Sequence, residues 1–175
     1  MSAHLQPAIG DHDHTQGAAQ APLQLVEYGD YQCSYCGQAY PAVQAAQQAL
    51  GDKLAFVFRN FPLTEVHPHA QQAALAAEAA AQQGKFWQMH DALYEHQNQL
   101  DDAHLLGFAQ QLGLDVNKFK QDLRAPATAS KVEADFESGV RSGVNGTPSF
   151  FVNGQKFDGN WQGQDLTEFL QRQLA

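Results

Sequence analysis

Cys33-Ser34-Tyr35-Cys36 lies between an apolar run, Leu23–Tyr28 (LQLVEY), and a segment of helical periodicity, and this order constrains the fold more than any other feature of the chain. The run is short, rich in strand formers, and ended by Gly29 and Asp30. From Cys33 to Leu50 the apolar residues Ala39, Val43, Ala46 and Leu50 recur at helical spacing. Pro41 interrupts that segment and is expected to kink the helix. Gly51-Asp52 reads as a turn, and Leu54–Phe58 (LAFVF) is a continuous apolar run, as expected of a parallel strand buried on both faces. Strand, helix and strand in this order form a βαβ unit with a right-handed crossover.

The next eighty or so residues carry helical patterns only. An Ala-rich helix is expected to start near Pro68 and stop at Gly84. Further apolar stripes follow at Phe86/Met89/Leu93, Leu105/Phe108/Leu112, Phe119/Leu123 (capped by Asp115) and Val132/Phe136/Val140. The strand signal returns at Ser149–Val152 and Gln155–Phe157, which flank Asn153-Gly154, a two-residue hairpin turn. Asp165 with Glu168 predicts a capping box on a final helix whose apolar face is Leu166, Phe169, Leu170 and Leu174. The predicted fold class is α/β: residues 1–21 a flexible arm, residues 22–63 and 144–175 one domain with a mixed sheet, and residues 64–143 an all-helical insertion.

Charge and hydropathy narrow the function. A formal net charge of −9 with no Lys/Arg-rich run argues against a nucleic-acid partner. No apolar stretch is long enough for membrane insertion. Met1–Gln20 lacks the basic and apolar regions of a signal peptide, so the sequence as it stands predicts a cytoplasmic protein, or an exported one if a leader has been removed. No dimerisation segment is evident, and a monomer is expected.

The chain has two cysteines, three apart. A thiol attacks a disulfide only as thiolate, so a useful cysteine must ionise below its ordinary range near 8.5. The free N–H groups and positive end of a helix favour the anion, and Cys33 stands where the helix begins. Spacing of three brings the two sulfurs to one face, so Cys33 is the expected nucleophile and Cys36 the residue that resolves the mixed disulfide. No dissociable cofactor is required beyond the redox-active pair itself. The expected partners are protein or small-molecule thiols and disulfides, together with an unidentified partner that recycles the pair. A metal-binding module using the same cysteines with histidines is the competing reading. His67/His69 and His90/His96 are spaced two and six apart, which does not place either pair on one helix face, and no metal ligand is assigned. Asp11-His12-Asp13-His14 reads as a solvated arm.

Glu27 shares a strand face with Leu23 and Leu25 and is expected to point into apolar packing, where a carboxyl ionises late and can exchange protons near neutrality. Tyr31 and Tyr35 are expected to line the surface beside the thiols, Tyr35 as a substrate contact. The charge of Asp30 is expected to disfavour a Cys33 thiolate.

Three segments together resemble the DsbA-like branch of the thioredoxin superfamily: Leu25-Val26-Glu27-Tyr28-Gly29-Asp30-Tyr31-Gln32-Cys33, Gly84-Lys85-Phe86-Trp87-Gln88-Met89-His90-Asp91 and Gly146-Thr147-Pro148-Ser149-Phe150. The resemblance covers about residues 10 to 175 and implies a thioredoxin fold with the helical domain inserted after the second strand, roofing a groove for extended polypeptide. It implies that Pro148 is cis and faces the cysteine pair, with the backbone of Thr147 receiving substrate. It also implies that Glu27, six residues before Cys33, relays a proton to or from Cys36. Ser34-Tyr35 stands where the best-known periplasmic oxidants carry Pro-His. Without that histidine the expectation is a moderate potential. A glutathione-dependent enzyme or a chaperone-like domain on the same fold are the nearer alternatives.

Overall fold

The computed structural model describes residues 3–175. Strand β2 (Leu23–Gly29) and strand β3 (Leu54–Asn60) pair in parallel, in register from Leu23 against Leu54 to Gly29 against Asn60. The helix between them, α1 (Ser34–Leu50), carries Pro41 in its interior. Strands β4 (Ser149–Val152) and β5 (Gln155–Phe157) form an antiparallel hairpin, and β4 continues antiparallel onto β2. Asn153 and Gly154 turn it with φ of 48° and 84°, the left-handed pair that a two-residue hairpin requires. With a first strand, β1 (His14–Gly17), at one edge, the sheet order is β1-β3-β2-β4-β5.

Strand β1 (His14–Gly17) corrects the sequence reading, which placed these residues in a flexible arm. HTQG has no apolar alternation to announce a strand. It pairs antiparallel with β3, His14 opposite Phe58, and backbone pairing with anchored side chains holds it there. Arg59, on β3, donates from Nε and Nη2 to the two carboxylate oxygens of Asp13 at 2.9 Å, from Nη1 to the Tyr28 hydroxyl at 2.8 Å and from Nη2 to the Pro7 carbonyl at 3.0 Å. Both members of that ion pair are buried, and losing one partner of such a pair costs about 3–5 kcal/mol. His14 stacks on Phe86 and bonds Glu78 at 2.9 Å. Further upstream, the Leu5 N–H donates to the Gly154 carbonyl and the Lys156 N–H to the Ala3 carbonyl, covering the opposite sheet edge at β5. Asp13 and His14 are thus structural anchors, not members of a solvated arm.

Between β3 and β4 lie α2 (Ala70–Ala81), α3 (Phe86–Glu95), α4 (Asp102–Gln111), α5 (Val116–Arg124) and α6 (Pro126–Arg141). Helix α2 starts two residues after Pro68, which stays in the preceding turn. Its buried alanines let neighbouring helices approach closely. Asp115 caps α5 by accepting from the Lys118 N–H. The predicted capping box at Asp165 does not form: Gln164 is the cap of α7 (Asp165–Gln173), and the Asp165 carboxylate accepts from Asn160 Nδ2 instead.

Side-chain alternation divides the sheet. Leu23, Leu25, Phe56, Phe58 and Phe150 pack with α1, α3 and α7, while Val26, Tyr28, Val57 and Phe151 face the other way with Phe61 and Val144. Glu27 falls on the first face, opposite Phe58 on one neighbour strand and Phe150 on the other. Among the described residues, no helix is long and apolar enough to cross a membrane.

Candidate active site

The β2-to-α1 connection is shaped by its own polar groups. The Asp30 carbonyl accepts from the Cys33 N–H at 3.1 Å. The Asp30 carboxylate is fully buried and accepts from the Gln32 N–H, from the Leu63 N–H and from His67 Nδ1. These partners make Asp30 the clamp between two loops, a role its charge alone did not suggest. From the helical insertion, Gln97 Nε2 donates to the carbonyls of both Tyr31 and Cys33 at 2.9 Å. Gln97 escaped the sequence reading because it lies in an α3–α4 loop with no periodic signal and meets the thiol loop only in the folded chain.

Cys33 is the N-cap residue of α1, with φ −72° and ψ 124°, and Cys36 lies one turn inside. Both thiols are free, and Cys36 is fully buried. The Cys33 thiol is pulled down to about 5. A hydrogen bond from the Cys36 thiol is the main cause, with further help from Thr147 and from the Cys36 and Tyr35 N–H groups, against the opposing effect of burial. Cys36 is driven the other way, well above its ordinary value, because burial penalises its anion. Two chemically identical groups thereby become a thiolate and a thiol at neutral pH.

The Thr147–Pro148 peptide bond is cis and sits across from the pair, with the Thr147 carbonyl 3.7 Å from Cys33 Sγ. The Thr147 hydroxyl is buried and has no other protein partner. Tyr35 is 59% exposed beside the thiols. Tyr31 is not on the surface as expected. It is buried, shares a 2.9 Å hydrogen bond with His90 Nδ1, and packs against Tyr94 at 4.8 Å between ring centres. Its phenyl ring completes the core between β3 and α3, which is worth more than a solvated position.

Glu27 is 2% exposed beneath the pair, and its Oε2 has no hydrogen-bond partner. Burial first, and the Cys33 charge second, push its carboxyl up to about 8. Gly29 makes room for it. A Cβ there would lie 2.5 Å from the Phe58 ring and 2.8 Å from both Glu27 Oε2 and the Tyr94 hydroxyl. His90, buried on the same side, is held down to about 3 by burial and stays neutral. Among the described residues, no three His, Cys, Asp or Glu side chains converge as a metal site.

A thioredoxin family model matches residues 10–172. The chain belongs to the thioredoxin family. Its fold superimposes on a thioredoxin-like oxidoreductase from Silicibacter pomeroyi with a TM-score of 0.83, at 28% identity and covering 94% of each chain. BdbD from Bacillus subtilis gives 0.81 at 26% identity over 99% of this chain and 98% of that one. The thiol-disulfide exchange protein alpha-DsbA2 from Wolbachia pipientis, at 19% identity and a TM-score of 0.80 over 93% of this chain and 87% of that one, shares the fold. The thioredoxin fold expected from the sequence is therefore shown, and DsbA-named proteins are among those that share it. A different name attaches to sequence relatives. A Na(+)/H(+) antiporter NhaA 1 from Salinispora arenicola is 46% identical over 163 residues, which is 92% of this chain and 24% of the antiporter. The chain spans about a quarter of the length of the curated relatives it matches.

Proposed function

We propose that this chain catalyses dithiol–disulfide exchange on polypeptide or small-molecule substrates. The Cys33 thiolate attacks, Cys36 resolves, Glu27 exchanges the Cys36 proton, and Thr147-Pro148 with Tyr35 receives the substrate. The observation that carries this reading is the geometry of the pair: Cys33 at the N-cap of α1 with its Sγ 3.7 Å from the Thr147 carbonyl, and Cys36 fully buried one turn inside. Starting from the dithiol, the Cys33 thiolate bonds to one sulfur of the substrate disulfide and the other leaves as thiolate. Bond formation removes the Cys33 charge, which is one of the two causes that keep Glu27 protonated. The Glu27 carboxyl then ionises more readily, so its carboxylate is available to take the proton when Cys36 must lose it. The Cys36 thiolate attacks Cys33 Sγ, the second substrate thiolate leaves, and two electrons have passed from the pair to the substrate. In the reverse direction, Glu27 returns the proton to Cys36 as it leaves. The reaction needs no dissociable cofactor.

Substituting Cys36→Ser should trap the attacking step. In lysate it is expected to yield mixed disulfides that resolve into discrete bands on a non-reducing gel, while Cys33→Ser yields none. Equal silence of the two variants would defeat the assignment of Cys33 as nucleophile.

The likeness to part of proteins named Na(+)/H(+) antiporters supports a second reading, in which the same exchange domain works as the redox module of a longer membrane protein. Immunoblotting of fractionated native cells tests it. A membrane-bound species several times the length of this chain is the expected result, and a soluble band of 175 residues overturns it.

A further inference from the structure

Gly29 ends β2 without a side chain, and the space beside it is walled by three groups. A Cβ at that position would lie 2.5 Å from the Phe58 ring, 2.8 Å from Glu27 Oε2 and 2.8 Å from the Tyr94 hydroxyl. The two oxygens therefore face each other across a gap that glycine keeps open. Both are buried, and neither has a hydrogen-bond partner. Orphaned polar atoms are uncommon in a protein interior, and two that flank one gap beside a reacting thiol call for a reason. The strands on either side of Glu27 offer its carboxylate nothing polar, since its neighbours in the sheet are Phe58 and Phe150. A buried carboxylate with neither a cation nor a donor is costly, and Tyr94, on α3, carries a free donor beside it.

We propose that Tyr94 is a positioning residue for the exchange reaction: its hydroxyl donates to Glu27 Oε2 when the carboxyl is ionised, and so holds the carboxylate ready for the Cys36 proton. Tyr94 acts through Glu27 and touches neither substrate nor the reacting sulfurs. The proposal rests on the assignment of Glu27 as the acid–base partner of Cys36.

The end torsion of a glutamate side chain is broad, so a small rotation of the carboxylate closes the gap without moving the β2 backbone. A hydroxyl bonds a charged acceptor about twice as strongly as a neutral one. The contact therefore favours the ionised carboxyl and opposes the effect of burial. Burial drives the Tyr94 phenol well above its ordinary range, so Tyr94 keeps its own proton throughout. Only the Cys36 proton moves, from sulfur to the Glu27 carboxylate, and the hydrogen bond weakens once it has arrived. The other titratable groups around Glu27 are Cys33, Cys36 and Tyr40 from α1, Tyr31 from the preceding loop, and His90 and Asp91 from α3, while Asp30 faces Tyr94 from the end of β2. The Tyr31 hydroxyl is engaged by His90 and the Tyr40 hydroxyl by Glu95, which leaves Tyr94 as the phenol here with a free donor.

Stopped-flow reaction of the reduced protein with oxidised glutathione separates attack by Cys33 from resolution by Cys36, and the resolution rate is followed against pH. Tyr94→Phe keeps the ring and breaks no hydrogen bond of the reduced protein, so it is expected to fold as the wild type does. The midpoint at which resolution accelerates should rise by about one pH unit in this variant, because a hydrogen bond to a charged acceptor is lost. Resolution should slow several-fold at neutral pH and recover at alkaline pH, while attack by Cys33 keeps its rate. Tyr31→Phe, which removes another hydroxyl from the same core, should leave the midpoint in place. In the Glu27→Gln background Tyr94→Phe should add nothing. An unmoved midpoint in Tyr94→Phe, with Glu27→Gln still slow, would overturn the role of Tyr94 and leave the acid–base role of Glu27 standing. Equal shifts in Tyr94→Phe and Tyr31→Phe, or a further loss in the double variant, would do the same. A wild-type rate in Glu27→Gln would overturn both together.

Discussion

Alkylation of Cys33 by iodoacetamide in the reduced protein is expected to titrate with a midpoint at about pH 5, far below an ordinary thiol. At pH 7 such a group is ionised about 100-fold more than it is protonated, which stabilises the reduced form of the pair over the disulfide. For a two-electron couple with about 30 mV per tenfold, this moves the potential up to about 60 mV towards the oxidising side of the same pair with an unperturbed thiol. The lack of a histidine between the cysteines led the sequence reading to a moderate potential. The structure supplies other donors in its place, and the proposal here is an oxidising bias. The variants identify the donor. Cys36→Ala removes the hydrogen bond that contributes most and should shift the midpoint upward, whereas Cys36→Ser keeps a donating hydroxyl and should shift it less. A midpoint unmoved by Cys36→Ala would assign the stabilisation to the helix N–H groups and Thr147 instead.

The second large effect is on stability. Glu27 has a folded value of about 8 against an ordinary 4.5, so the folded state holds this proton more tightly than the unfolded chain. Its contribution is fully present below pH 4.5 and is lost as pH rises through 8. Glu27→Gln removes that loss. The stability of the reduced variant, relative to reduced wild type, should therefore rise between pH 5 and pH 8 by about 3–4 kcal/mol, since the slope of roughly 1.4 kcal/mol per unit flattens as the carboxyl ionises near pH 8. Cys33 acts with the opposite sign: its folded value is depressed, so its stabilisation is present above pH 9 and lost as pH falls through 5. In the wild type the two slopes oppose each other between pH 5 and pH 8, and a nearly flat profile is expected. In Glu27→Gln only the rising slope remains. Urea unfolding in the presence of a reductant at the two pH values measures the difference. Parallel profiles for the two proteins would mean that Glu27 is not buried as a carboxylic acid.

Several of the neighbours that matter for these predictions were not visible along the chain. Gln97 and Asp30 hold the thiol loop through backbone carbonyls and N–H groups, and nothing in the composition around them distinguishes such residues from surface polar ones. Tyr31 reads as a surface aromatic because it follows a turn, yet it is buried by Phe58, His90 and Tyr94 from other elements. Strand β1 has a polar sequence, and its place depends on a free edge of β3 and on Arg59 and Glu78 to hold its flanks.

The sequence by itself determined what depends on local periodicity and spacing. The two parallel strands and the helix between them, the Asn153-Gly154 hairpin, the thiols at a helix start and the inward face of Glu27 all follow from residues close in the chain. Only the tertiary structure decided how those groups are tuned. The splitting of the two thiols and the raised carboxyl arise from burial under distant elements, from the Cys36 thiol turned onto Cys33, and from Thr147 before β4. Desolvation and convergence of polar atoms are properties of the folded volume, and no pattern along the chain encodes them.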